Sequence, residues 1–462
     1  MPPLSRLHAS ARDDVPVTAP TTWRNWAGTA LAEPARFARP ATEDEAAALV
    51  RAAAAAGGRV RAVGAGHSFT PAVVTDGTMV SVDHLAAVEW VGPAQPDGST
   101  EVRVGAGIRL SALCEDLARR GLALENMGDI DAQTLAGAIS TGTHGTGAAF
   151  TGFAAQVRAV RLITADGQVV TASATERPAL FEAARLGLGT VGLLTAITMR
   201  CVPAFGLRAV ETPMPLGEIL EALPEPDGPV VTNEHFEFYW FPYTDVALTK
   251  ANNRVTPGDG GAPLPTWRRI LEDEVLSNGA FRATNALTAR LPALTPTVNR
   301  VASRLLTART YTAPSAAVFT SPRRVVFKEM EYALPADAVG PALREVDAWV
   351  RRTGENVPFP VEVRFAAADD VWLSTAYRRA SGYIAVHQFV ALAHERYFRA
   401  VEDIMVAHGG RPHWGKIHRR RAVDLAPLYP RFADFLDVRD AVDPGGLFAN
   451  DYTDTVLGPA GR

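Results

Sequence analysis

Cysteine is almost missing from this chain: Cys114 and Cys201 are the only two in 462 residues. Two thiols cannot build a disulfide framework, nor a metal centre resting mainly on cysteine. Lysine is nearly as scarce. Lys250, Lys328 and Lys416 stand alone among 46 basic residues, the rest being arginine. A lysine kept against that background points to work a guanidinium does not do. There is no excess of positive charge; the net is −4, which excludes the electrostatic footprint of a nucleic-acid partner. No apolar run approaches the ~20 residues of a membrane span, so membrane association is not indicated. The first residues, Met1 to Pro16, are polar and hold no signal-peptide core, and a cytoplasmic home is the default expectation. Repeats and low-complexity blocks are also lacking. At 462 residues the chain exceeds one ordinary core, so two or more domains are expected.

What is present begins with glycine. Val63-Gly64-Ala65-Gly66-His67-Ser68 follows an arginine-alternating strand, Arg59 to Val63. The glycines remove Cβ atoms that would block a ligand, and consecutive N–H groups in such a turn can form an anion-binding nest. One imidazole, His67, stands at its lip, which suggests a nucleotide cofactor. A second loop, Ser140-Thr-Gly-Thr-His-Gly-Thr-Gly147, could close on the same ligand. The run from Asp129 to Gly147 is small and flexible, good for wrapping a ligand.

In chain order, residues to about Pro20 read as a disordered tail. Thr42-Glu-Asp-Glu45 is a capping-box pattern before a helix over 46–56. Strands are expected at 79–82, 88–91 and 100–104, and a helix at 109–120. Val157 to Ala172 reads as a hairpin turning at Asp166-Gly167. A helix at 178–186 and a strand at 193–201 flank Gly187-Leu-Gly-Thr-Val-Gly192. That hexapeptide matches GxGxxG formally, but a dinucleotide fingerprint needs strand before and helix after. The order here is reversed, which makes it a glycine corner packed close to the ligand. After residue 205 charged, aromatic strands appear: 235–241, 325–332, 361–365 and 383–390, with helices at 336–352 and 395–407. They predict an α+β domain on an antiparallel sheet. The stretch 252–313 reads as irregular, a cap on that sheet in preference to a membrane-touching insertion. A single helix is expected over 424–441.

Taken together and in order, the Gly-His-Ser-Phe turn, the Gly-Thr-His-Gly-Thr-Gly loop, Glu362-Val-Arg364 and Arg411-Pro-His-Trp-Gly-Lys416 resemble the sugar-1,4-lactone oxidases of the vanillyl-alcohol-oxidase flavoprotein superfamily. Gulonolactone and arabinonolactone oxidases are the nearest types and alditol oxidases the next. The resemblance runs from Asn25 to Tyr452. It implies an α+β chain with an FAD-binding domain at 21–205, completed by 412–462, and a substrate domain at 206–411. It implies FAD held by Val63, Gly64, Ala65, Gly66, His67, Ser68, Gly128, Asp129, Thr134, Gly137, Ser140, Thr141, Gly142, Thr143, His144, Gly192, Ile197 and Lys416. It also implies a covalent bond from His67 to the flavin, where the plainer reading is a turn histidine bonded to backbone. His144 is expected to be structural or to lie on the pyrophosphate side.

The reaction so implied takes hydride from a lactone alcohol carbon to flavin N5, with O₂ as final acceptor. Glu362 and Arg364 lie two apart on one strand and share a face. An exposed ion pair would be the ordinary reading of Glu-x-Arg; the resemblance puts the pair over the flavin. Glu362 is assigned to the substrate hydroxyl, Arg364 to the cationic role, and Lys416 to a flavin or substrate contact. Asp129 and His387 join them as substrate contacts. No histidine–carboxylate spacing matches a metal site. Gly128 stands where lack of a Cβ would leave room for O₂. Asp129 departs from the small hydroxyl residue of alditol oxidases, which favours lactones over acyclic polyols.

Overall fold

The computed structural model describes residues 22–255, 279, 281–321 and 324–461. The expected N-terminal tail lies outside them. Besides the two-stranded pairing of Trp23–Arg24 with Leu31–Ala32, the first region holds two sheets. One is parallel, in the order Arg36–Ala38, Thr78–Ser81, Val60–Val63, with helix Glu43–Ala55 between its strands in sequence. Thr42 caps that helix, its hydroxyl accepting the Glu45 N–H. The Glu45 carboxylate reaches back to the N–H of Ala41, one residue before the cap. The other sheet is antiparallel, in the order Val169–Ser173, Val157–Ile163, Leu193–Pro203, Thr100–Gly105, Val88–Ala94. Its hairpin turns at Asp166-Gly167, where Gly167 has φ +77° and Asp166 accepts the Gln168 N–H. Helix Pro178–Arg185 precedes the Gly187–Gly192 corner and strand Leu193–Pro203 follows it, the reverse of a dinucleotide fingerprint.

A second region is one eight-stranded antiparallel sheet. Its order is Arg309–Pro314, Gly206–Pro215, Val246–Arg254, His235–Trp240, Val361–Ala366, Ser381–Phe389, Phe327–Pro335, Arg411–Pro412. One face packs against helices Val339–Thr353 and Glu395–Ala407. Val361, Val363, Phe365, Ile384 and Val386 meet Leu343, Val346, Tyr397 and Val401 there. The apolar residues alternate along each strand, so every residue between them is turned to the opposite face.

Two expectations change. The helix over 424–441 is broken into Ala422–Leu425, a 3₁₀ turn at Ala426–Leu428, and helix Phe432–Val442. Pro427 and Pro430 supply no N–H, and a continuous helix cannot pass them. The stretch 252–313 is not irregular throughout: Val246–Arg254 and Arg309–Pro314 are strands, both paired with Gly206–Pro215. Helices Phe281–Arg290 and Thr295–Arg304 lie between, while 256–278 and 280 fall outside the described residues.

The C-terminal segment returns to the first region. Leu425, Tyr429, Phe435, Phe448 and Leu457 belong to the same core as the N-terminal sheets. Asn450 donates to the carbonyls of Pro71, Ala72 and Val74, just beyond the glycine turn. Arg61, fully buried on strand Val60–Val63, fastens three segments at once. Its guanidinium donates to the carbonyls of Ala72, Leu188, Gly189 and Phe448.

Candidate active site

Two cavities meet inside the molecule. The first, with about 900 Å³ of empty space, is lined by Val63, Gly64, Ala65, Gly66, Thr134, Gly137, Ser140 and the Leu188–Gly192 corner. The second, about 750 Å³, is lined by Gly128, Asp129, Thr143, His144, Glu329, Glu331, Glu362, Arg364, His387 and Lys416 among others. His67, Ser68, Gln133 and Thr141 line both. A ligand filling the first therefore reaches the charges of the second.

The first cavity is shaped by absent side chains. A Cβ on Gly64 would lie 2.2 Å from the Thr134 hydroxyl oxygen. That hydroxyl accepts the Gly137 N–H and starts helix Leu135–Thr141. Gly66 sits at φ +70°, a conformation open to glycine at little cost. His67 follows. Its ring stacks on Trp26 at 5.7 Å, and its buried Nδ1 has no hydrogen-bond partner. Burial, with Arg109 and Lys416 nearby, lowers its pKa, so the imidazole is neutral at pH 7. The plain reading of His67 as a turn histidine bonded to backbone does not hold at Nδ1.

The second cavity is made by the sheet's free face. Tyr239 pairs with Glu362, Glu362 with Ala385, Arg364 with Tyr383, and Glu329 with His387 across four neighbouring strands. Glu237, Tyr239, Glu329, Glu331, Glu362, Arg364 and His387 thus gather on one surface. Arg364 touches Glu362, and its Nε lies 3.1 Å from Glu237 and its Nη2 3.5 Å from Asp129. Burial opposes the charge on Arg364, but Glu362, Asp129 and Glu237 outweigh it and hold the pKa well up. Tyr239 donates to Glu362 at 3.0 Å.

Lys416 is placed by its backbone. The segment Arg411–Lys416 runs beside strand Phe327–Pro335, with His413 N–H donating to Glu331 O and Ile417 N–H to Glu329 O. Gly415 O accepts the Phe69 N–H, which ties this segment to the His67 turn. Lys416 Nζ reaches Glu329 at 2.5 Å, and His387 Nε2 stands 3.6 Å from the same carboxylate. Burial would raise the Glu329 pKa, yet Lys416 and His387 prevail and bring it down to about 2. Burial likewise works against the charges on Lys416 and His387, but Glu329 leads the groups that hold both pKa values up.

Sequence reasoning missed Glu237, Tyr239, Glu329 and Glu331 as site residues. Glu329 and Glu331 carried the same two-residue spacing as Glu362 and Arg364, a signal that was readable. His144, expected to be structural or to lie on the pyrophosphate side, lines the charged cavity, stacks on Tyr383 and lies 3.3 Å from Glu331. Gly128, Asp129, Thr143 and Lys416, expected around the cofactor, line the charged cavity too. Ile197 is buried in the core and Gly142 ends a helix at φ +81°; neither lines either of these two cavities. Among the described residues His144, Glu331 and His413 form the one cluster of metal-ligating types. His413 accepts the Gly415 N–H at Nδ1, so its proton resides on Nε2, and burial pushes its pKa down to about 4. Neither cysteine lines either of these two cavities, and burial pushes both thiols up to about 12.

Comparison with known proteins decides the family. Residues 197–456 match the model of the D-arabinono-1,4-lactone oxidase family, and residues 34–173 match an FAD binding domain. The chain belongs to the aldonolactone oxidase family. It is 42% identical to an L-gulono-1,4-lactone dehydrogenase of Mycobacterium tuberculosis, over 95% of this chain and 99% of that protein. It is 33% identical to an L-gulonolactone oxidase of Scyliorhinus torazame, over 93% of this chain and 97% of the relative. The fold matches the crystal structure of cholesterol oxidase from B. sterolicum with a TM-score of 0.80 at 16% identity, over 99% of this chain and all of the other. This aldonolactone oxidase family member is therefore an FAD-dependent oxidoreductase with the mixed α/β fold of that flavoprotein class. The residues present suit the cofactor: a cradle that side chains would fill, and an orphaned imidazole nitrogen at its open end.

Proposed function

We propose that this chain oxidises an aldono-1,4-lactone of the gulono, galactono or arabinono type, with FAD joined covalently to His67 and O₂ as the acceptor. The observation that carries this is the meeting of the two cavities at His67, Ser68, Gln133 and Thr141. FAD bound along the glycine turn would supply the hydride acceptor. Val63, Gly64, Ala65, Gly66, Thr134, Gly137 and Ser140 would hold it.

The remaining work falls to the sheet. Glu362, held by Tyr239 and Arg364, accepts the proton of the substrate hydroxyl. Arg364 and Lys416 hold the negative charge that builds on the oxygen as its proton leaves. Asp129 and His387 orient the ring hydroxyls, and Trp26 and Phe327 close the apolar side of the cavity. The cavity's density of fixed charge fits a polyhydroxylated ligand.

The acceptor rests on Gly128. It lines the charged cavity without a side chain, although a Cβ there would also press on His144 O at 3.0 Å. A second reading, transfer to a carrier or dye, is favoured by the name of the 42%-identical relative. A panel of aldono-1,4-lactones and polyols, scored in parallel by O₂ uptake and dye reduction, tests both. Lactone-dependent O₂ uptake is expected. Dye reduction without it would establish the second reading, and turnover only with acyclic polyols would refute the substrate class. Glu362→Ala should slow flavin bleaching by lactone ~10²–10⁴-fold; bleaching at the wild-type rate would remove its assigned role.

A further inference from the structure

Three carboxylates compete for Arg364. Glu362 and Asp129 face its Nη2, and Glu237 lies 3.1 Å from its Nε. A guanidinium so surrounded settles where the strongest anion draws it. The group that limits the pull of Glu237 stands one strand further from the cavity.

The antiparallel register sets five charges in a row across five strands. The pairing of Phe238 with Val363 brings Glu237 beside Arg364. Glu237 is opposite Lys250, Lys250 opposite Glu211, and Glu211 opposite Arg309. The signs alternate along the row, and opposite charges facing each other on one side of a sheet attract. Glu211, Glu237 and Arg364 are buried. Lys250 is one of only three lysines in the chain. Its Nζ lies 3.6 Å from Glu237 Oε1 and donates to Val318 O at 2.8 Å. The other oxygen of Glu237, Oε2, is the one that faces Arg364. Glu211 does not draw the ammonium away, because Arg309 holds both of its oxygens, at 2.5 Å and 2.9 Å. A point charge suits this place: a planar guanidinium fork would engage both oxygens of Glu237 and leave none for Arg364.

We infer that Lys250 is a positioning residue for lactone oxidation: by holding one oxygen of Glu237 it sets how far that carboxylate draws Arg364 from Glu362. The inference rests on the reading of Arg364 as the cation that meets the substrate oxygen. Neither Glu237 nor Lys250 lines the two cavities, so their effect passes through Arg364. Without the ammonium, Arg364 answers the whole charge of Glu237 and shifts toward it, off the developing oxyanion. The segment that receives Lys250 also secures a second neighbour of Arg364. Three residues beyond Val318, the Ser321 N–H donates to Asp129 O at 3.0 Å.

The test is stopped-flow reduction of the full-length, flavin-loaded protein without oxygen, using the aldono-1,4-lactone that reduces the wild type fastest. Lys250→Met should lower the limiting rate of flavin reduction ~10–100-fold. The apparent Kd of the lactone should move by less than about threefold, since the lost interaction belongs to the transition state. In a Glu237→Gln background the same replacement should change the rate by less than about twofold, because the two residues act as a unit. A merely structural lysine would lower the melting temperature and flavin content and leave the limiting rate of the flavin-loaded fraction unchanged; that result overturns the inference. So does a loss as large with Gln at 237 as with Glu. If Lys250→Met does not fold, Lys250→Gln, which keeps a donor for Val318 O, carries the same comparison. Wild-type flavin that no aldono-1,4-lactone reduces would overturn the functional reading and this inference together, whereas normal wild-type reduction with an unimpaired Lys250→Met overturns this inference alone.

Discussion

Replacing Glu329 by Gln probes the group that sequence reading overlooked. The carboxylate is buried, 2.5 Å from Lys416 Nζ and 3.6 Å from His387 Nε2. Glutamine keeps the shape and removes the charge, leaving two buried cations short of their partner. The Glu329 pKa falls from an ordinary 4.5 to about 2, because Lys416 and His387 overcome the opposing effect of burial. At ~1.4 kcal/mol per unit that amounts to ~3 kcal/mol. Removal of one member of a buried ion pair costs ~3–5 kcal/mol, a range that includes this figure. The sign follows from the depressed value. The stabilisation is fully present above pH 4.5 and is lost as pH falls through about 2. Urea unfolding of the flavin-loaded wild type and Glu329→Gln, compared pairwise from pH 7 to pH 3, isolates it, since other titrating groups cancel to first order. The gap should be ~3 kcal/mol at neutral pH and narrow below pH 4.5. A gap under ~1 kcal/mol at pH 7, or one that ignores pH, would refute the assignment of Glu329 as the shared counter-ion.

His67→Ala should abolish a covalent flavin: acid-precipitated wild type is expected yellow and the variant colourless, and a colourless wild type would deny the tether. Gly64→Ala places a Cβ 2.2 Å from the Thr134 hydroxyl and should cost ~1–3 kcal/mol by overpacking while lowering flavin content; retention of both at wild-type levels would show the turn can yield. Arg61→Met strands the carbonyls of Ala72, Leu188, Gly189 and Phe448, each unsatisfied group costing ~1–3 kcal/mol. Flavin fluorescence should then appear at a lower temperature on heating, and an unchanged release temperature would count against the fastening role.

Local pattern made much of this protein legible. Thr42 starts its helix, Asp166-Gly167 turns its hairpin, and the two-residue period puts Glu362 and Arg364 on the face opposite Val361, Val363 and Phe365. The glycine turn was readable because few residues other than glycine adopt φ +70° cheaply. Pro427 and Pro430, by contrast, were present in plain sight and still overrun by an apolar pattern.

The sequence by itself determined which residues share a face within each strand, where the turns fall, and that so few lysines make Lys416 noteworthy. Only the tertiary structure decided which faces meet. Strand Phe327–Pro335 lies beside Ser381–Phe389, and that strand beside Val361–Ala366, so Glu329, His387 and Glu362 become neighbours across gaps no local period encodes. Arg61 likewise depends on carbonyls more than a hundred residues away. The physical reason is that alternation along a strand is set by backbone geometry, whereas pairing between distant strands is set by the burial of a whole sheet face. That burial brings the charges of four strands to one cavity and fixes their protonation there.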